Sequence, residues 1–174
     1  MYLFTFSPFI TAAGTDQEDA EDLCESLARR HQIVRPADSR EFAGRSTCPR
    51  YEFVHTMYRE VLYNRQSPRR RKQIHLQVGE QLEELYSQRL GEIAPELTHH
   101  FQQGEDWLRA IKYLQLAADT AGRRLEPRRA AEILQHAIEL VKKLPDEKRA
   151  QQETTILAKL AKIYVEWARE ASKL

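Results

Sequence analysis

Glycine is scarce in this chain of 174 residues. Only six occur, at positions 14, 44, 79, 91, 104 and 122, none followed by lysine and none spaced G-x-G. That excludes a phosphate-cradling P-loop and a dinucleotide fingerprint. Cysteine is scarcer still: Cys24 and Cys48 have neither C-x-x-C spacing nor a matching histidine pattern, so a disulfide framework is not expected and free thiols in a reducing compartment are. No G-x-S-x-G elbow and no H-E-x-x-H pair is present. His99 and His100 are adjacent, and on a helix their side chains diverge by about 100° and cannot easily share a metal. An excess of one charge is also missing, with 27 Lys and Arg against 26 Asp and Glu and a net charge of +1. No long-range field steers the chain onto nucleic acid or an anionic membrane. No apolar run approaches the roughly 20 residues that cross a bilayer. The apolar start M-Y-L-F-T-F-S-P-F-I precedes any Lys or Arg, the first being Arg29, so it lacks the positive flank of a secretory signal. It reads as a strand or short helix packed on the domain, or as a truncated start. These absences predict a non-catalytic, cytoplasmic protein without membrane association.

What is present suffices for a core: 41% of the residues are hydrophobic. Thr15 to Glu18 forms a capping box and predicts a helix to about His31 with a core stripe of Ala20, Leu23, Cys24 and Leu27. Ile33 to Pro36 turns extended, and Ala37 to Arg50 reads as a long hairpin loop. The run Y-E-F-V-H-T-M-Y-R-E-V-L-Y, Tyr51 to Tyr63, follows. Tyr51 and Phe53 alternate around Glu52 as in a half-buried strand to Val54, then Tyr58, Val61 and Leu62 recur at helical spacing. His55 stands where period two gives way to period 3.6. Helix, strand, loop, strand, helix is the order of a winged helix.

Ser67 and Pro68 predict the N-cap and first position of the next helix, with Ile74, Val78, Leu82 and Leu85 on one face. Beyond Gly91 the pattern is helical hairpins: Ile93, Leu97 and Phe101, then Trp107 to Ala118. Residues 110–117 and 130–137 superimpose as A-x-x-[YI]-L-x-x-A, with Ala110, Tyr113, Leu114 and Ala117 matching Ala130, Ile133, Leu134 and Ala137. Small residues seven apart let helices approach closely, as in stacked helical repeats. Gly104 to Trp107 fits the turn inside a tetratricopeptide unit. A last helix, about Glu147 to Ser172, carries Leu157, Leu160, Ala161, Tyr164, Trp167 and Ala168 on one side, and an exposed Trp167 suggests a solenoid cut short. An ordinary helical bundle is the blander alternative.

Three features can bind something. Arg69, Arg70, Arg71 and Lys72 form a basic patch that phosphates or a solvated surface can account for. The helix after Thr15 is where a winged helix reads DNA, but Asp16, Glu18, Asp19, Glu21, Asp22 and Glu25 would be repelled by phosphates, so direct DNA binding is not expected. His55 is able to donate a hydrogen bond to a phosphate or simply to cap its helix.

The segments Tyr51 to Tyr63, P-R-R-R-K-Q-I-H-L-Q-V-G-E-Q-L-E, I-A-P-E-L-T-H-H-F and D-W-L-R-A-I-K-Y-L-Q-L-A-A together resemble the region after the nucleotide-binding core of bacterial STAND regulatory ATPases. There an AAA-type module is followed by a winged helix and tetratricopeptide-like repeats, and relatives fuse the array to transcription-factor, nucleotide cyclase or kinase domains. The resemblance covers roughly Asp19 to Asp146. It implies a mainly α fold, with a winged helix over residues 1–86 whose N-terminal part is incomplete and an α-solenoid over 87–174. It implies a regulatory part in signal transduction or transcription, with His55, aided by Arg59, contacting the phosphates of ADP or ATP held by the intact ATPase. Val54-His55-Thr56-Met57 falls where such proteins carry M-H-D, but Thr56 replaces the usual Asp. The repeats would offer a surface to a protein partner, the neighbouring ATPase module or a small inducer. The Walker motifs that relatives carry upstream are absent, so this chain by itself is not expected to hydrolyse ATP. A stand-alone protein-docking scaffold without nucleotide dependence is the alternative.

Overall fold

The computed structural model describes residues 3–5, 17–42 and 45–171. The chain is mainly helical and divides into two compact units, Met1–Ser87 and Gln88–Leu174.

The first unit holds strand β1 (Leu3–Thr5), helix α1 (Gln17–Ser26), strands β2 (Val34–Phe42) and β3 (Arg45–Phe53), and helices α2 (Thr56–Arg65) and α3 (Pro68–Leu85). The last turn of α1 widens into a π-helical turn over Leu27–His31, which stops at Gln32 with φ of 49°. The three strands form an antiparallel sheet in the order β1-β3-β2. Val34 opposes Phe53 and Pro36 opposes Tyr51, so these four side chains share a face. Val34 and Tyr51 are buried there beneath Cys24, Leu27, Ala28 and Ile33.

Several expectations for this unit need correction. Residues 37–50 are not a long loop, because β2 and β3 pair over most of their nine-residue lengths. Pro49 lies within β3 at the place where the register shifts between Ala37 and Arg40. A residue without an amide hydrogen is tolerated at such a bulge. Glu52 is not the solvated member of the strand: it is only 8% exposed and ion-paired with Arg35, the residue opposite it on β2. Leu23 is 58% exposed and stands outside the core, to which Cys24 and Leu27 do contribute. Val54, Val61 and Leu62 are exposed as well, and α2 has no buried residue. The Thr15 capping box lies outside the described residues, as does the apolar start apart from β1. The start of α3 is as the sequence predicts, Ser67 Oγ accepting from the Arg70 amide at 3.2 Å and Pro68 at the first position. Val78 and Leu82 are buried, with Ile74 and Leu85 half-buried beside them.

The second unit is four helices, α4 (Leu90–Gln103), α5 (Trp107–Arg123), α6 (Pro127–Val141) and α7 (Asp146–Ala171), each packed on the next. Leu97, Phe101, Ile111, Tyr113, Leu134 and Ile156 are fully buried, and the rings of Phe101 and Tyr113 stack 5.6 Å apart. Two successive turns are copies of one another. In the first, Asp106 N–H donates to Phe101 O at 2.9 Å and Glu105 N–H to Gln102 O at 3.1 Å. In the second, Glu126 N–H donates to Ala121 O at 3.1 Å and Leu125 N–H to Gly122 O at 3.0 Å. Both are Schellman motifs, with Glu105 at φ 59° and Leu125 at φ 61° in the left-handed position that glycine usually fills.

The inner stripe of α7 differs from expectation. Leu160 is buried as expected and Ile156 with it, whereas Leu157, Tyr164 and Trp167 are exposed large residues and Ala161 and Ala168 face solvent with them. Apolar residues run around much of this helix, and packing against α6 selects which of them are covered.

Candidate functional site

His55 ends β3's extended path at φ −131°, ψ 139° and is the N-cap of α2. Its side chain makes no capping bond to the helix amides. An N-cap histidine is poorly suited to that job, which falls to Ser, Thr, Asp or Asn. The ring therefore stands exposed at the helix start, 6.0 Å from the Tyr58 ring and tilted 51° to it. Arg59 lies one turn further along α2 and is half-buried. The junction brings the two side chains to the same end of one helix, where the positive end of the helix dipole also favours an anion. An ion pair between the exposed Arg35 and the buried Glu52 anchors the strand end that presents them.

The four residues of the basic patch divide into two pairs. Arg69 and Arg70 are exposed, while Arg71 and Lys72 are half-buried. The Arg71 guanidinium lies 5.0 Å from the centre of the Tyr63 ring, and Tyr63 Oη is hydrogen-bonded to His75 Nε2 at 3.3 Å. These contacts hold α2 against α3. Neither Tyr63 nor His75 stands out in the sequence, since the turn through Ser67 is what places them together.

All nine repeat residues sit on helix faces in the second unit. Ala110, Tyr113, Leu114, Ala117, Ala130, Leu134 and Ala137 are buried, and Trp107 and Ile133 are half-buried. Trp107 carries Lys143 Nζ 3.9 Å above its ring. They are packing residues, and the polar groups that face solvent lie elsewhere on the same helices. Gln102 of α4 meets His136 of α6 at 3.2 Å. Gln115 Nε2 of α5 donates to Gln152 Oε1 of α7 at 3.3 Å, and Lys159 of α7 reaches Asp119 of α5 at 2.8 Å. Alternate helices thus lie side by side.

Among the described residues no group of three or more His, Cys, Asp and Glu side chains is placed to hold a metal, and no helix is long and apolar enough to cross a membrane. Comparison with protein-family models, curated proteins and solved structures finds no match to this chain.

Proposed function

We propose that this chain is a regulatory, non-catalytic part of a STAND-type signalling ATPase, its first unit a winged-helix lid over bound ADP and its second unit a tetratricopeptide-like docking surface. The observation that carries this reading is His55: an exposed imidazole at the N-cap of α2, with no capping bond to the helix, available to an external anion. The strand order β1-β3-β2 with α1 between β1 and β2 supports the winged-helix part. Serial packing of α4 to α7, the duplicated turns and a bond spanning 34 residues, Gln102 to His136, support stacked hairpins of about 34 residues each over a closed bundle.

In this reading the repeats bind a protein partner or a small inducer, the lid couples that event to nucleotide in the neighbouring module, and the protein works in the cytoplasm. ADP release from the intact ATPase, followed with a fluorescent ADP analogue, is the test. A hydrogen bond to a charged group is worth about 1.5–3 kcal/mol, so His55→Ala should speed release by roughly 10- to 100-fold. Unchanged release would leave the scaffold without nucleotide dependence as the better account.

A further inference from the structure

We propose that copies of this chain associate head to tail, the acidic outer face of α1 on one copy seating on the basic corner between α2 and α3 of the next. The near-neutral net charge conceals a segregation within the first unit. From Asp16 to Ala28 the sequence has six carboxylates and no base, with Arg29 just beyond paired to Glu25, and from Arg59 to His75 it has six Lys and Arg against the single carboxylate of Glu60.

Part of each stretch stands exposed together with apolar side chains. On α1, Asp19, Asp22 and Leu23 fall on one row at helical spacing, all exposed. On α2, Met57, Val61 and Arg65 form a row four residues apart, exposed throughout, and it runs towards the exposed Arg69 and Arg70 at the start of α3. Among the described residues, no carboxylate pairs with the guanidinium groups of Arg65, Arg69 or Arg70, and no cation pairs with Asp19 or Asp22. The first turn of α3 has no acidic residue, so Arg69 and Arg70 sit against the positive end of their own helix dipole. An outside anion relieves that opposition.

The two faces are complementary in charge, and Leu23 on one and Met57 and Val61 on the other add exposed apolar surface beside the charges. Arginine rather than lysine dominates the basic corner, which suits bidentate pairing with carboxylates. With a net charge of +1, copies do not repel one another at long range. A contact between two different faces is heterologous and continues from copy to copy, as a ring or an open chain. This inference stands apart from the nucleotide reading, which concerns His55.

Sedimentation of the full chain tests it. The mass should rise with concentration at low ionic strength and fall to the monomer near 1 M salt, where charges are screened beyond about 3 Å. The surface variants Arg69→Glu/Arg70→Glu and Asp19→Arg/Asp22→Arg, each checked for unchanged circular dichroism, should be monomeric alone. Mixed in equal amounts they should associate again, since each keeps the face that complements the other's. A wild type that stays monomeric at low salt, variants that associate as the wild type does, or a mixture that fails to associate would overturn it. So would a monomeric wild type that binds duplex DNA or phosphatidylserine vesicles through Arg69 and Arg70.

Discussion

At the scale of single residues, two backbone positions and one thiol lead to direct predictions. Leu125 is 84% exposed and held at φ 61°, a conformation that costs a residue with a Cβ roughly 1–2 kcal/mol. Glycine escapes that cost but gives up about 0.5–1 kcal/mol of unfolded-state entropy. Urea titration should therefore show Leu125→Gly more stable by up to about 1 kcal/mol, and Leu125→Val, β-branched in the same position, less stable than wild type. Asp106 is the N-cap of α5, accepting from the Arg109 amide at 3.0 Å and pairing with its side chain. Asp106→Ala should cost about 1 kcal/mol in the same titration. Burial pushes the Cys24 thiol up, which favours its neutral form in the folded state. That contribution is complete below the unfolded thiol's value, about 8.5, and is lost as pH rises through the folded one. Stability measured from pH 7.5 to pH 10 should fall less steeply for Cys24→Ala than for the wild type, and equal slopes would refute the assignment.

At the scale of elements, the second unit depends on how closely its helices approach. Ala130 and Ala137 have no exposed surface, so replacing either with leucine should overpack the joint and cost about 1–3 kcal/mol or more. Ala161→Leu, on the outer side of α7, should stay within about 0.5 kcal/mol, and a large loss there would contradict the face assigned to that helix. Arg149 ends α6 from outside, its guanidinium donating to Lys142 O at 3.3 Å and Leu144 O at 3.1 Å. The caps and alternating apolar runs were legible in the sequence: Ser67 with Pro68 marks α3, and the matched alanines mark α5 and α6. The long β2–β3 hairpin was hidden because Pro36 and Pro49 interrupt its strands and Glu52 breaks the polar alternation by being buried in an ion pair. Of the stripe the sequence suggests for α7, Leu160 is buried while Leu157, Ala161 and Tyr164 are exposed, because these fit a helical period as well as Ile156 and Leu160 do. Only the position of a neighbouring helix separates the two sets.

At the scale of the whole molecule, the sequence marks His55 through the change of period around it, and the structure places it at the N-cap of α2. The division of the basic patch was not legible, because whether an arginine is exposed or laid over Tyr63 depends on the turn between α2 and α3. Likewise, Gln102 and His136 meet only once two hairpins are stacked. We propose that this chain tightens ADP binding in a nucleotide-binding module through His55. The most direct measurement is calorimetric titration of ADP into a P-loop ATPase core of the STAND type, alone, with this chain, and with its His55→Ala variant. The account predicts tighter ADP binding with the wild-type chain and a loss of that gain with His55→Ala. ADP affinity that is the same in all three titrations would contradict it.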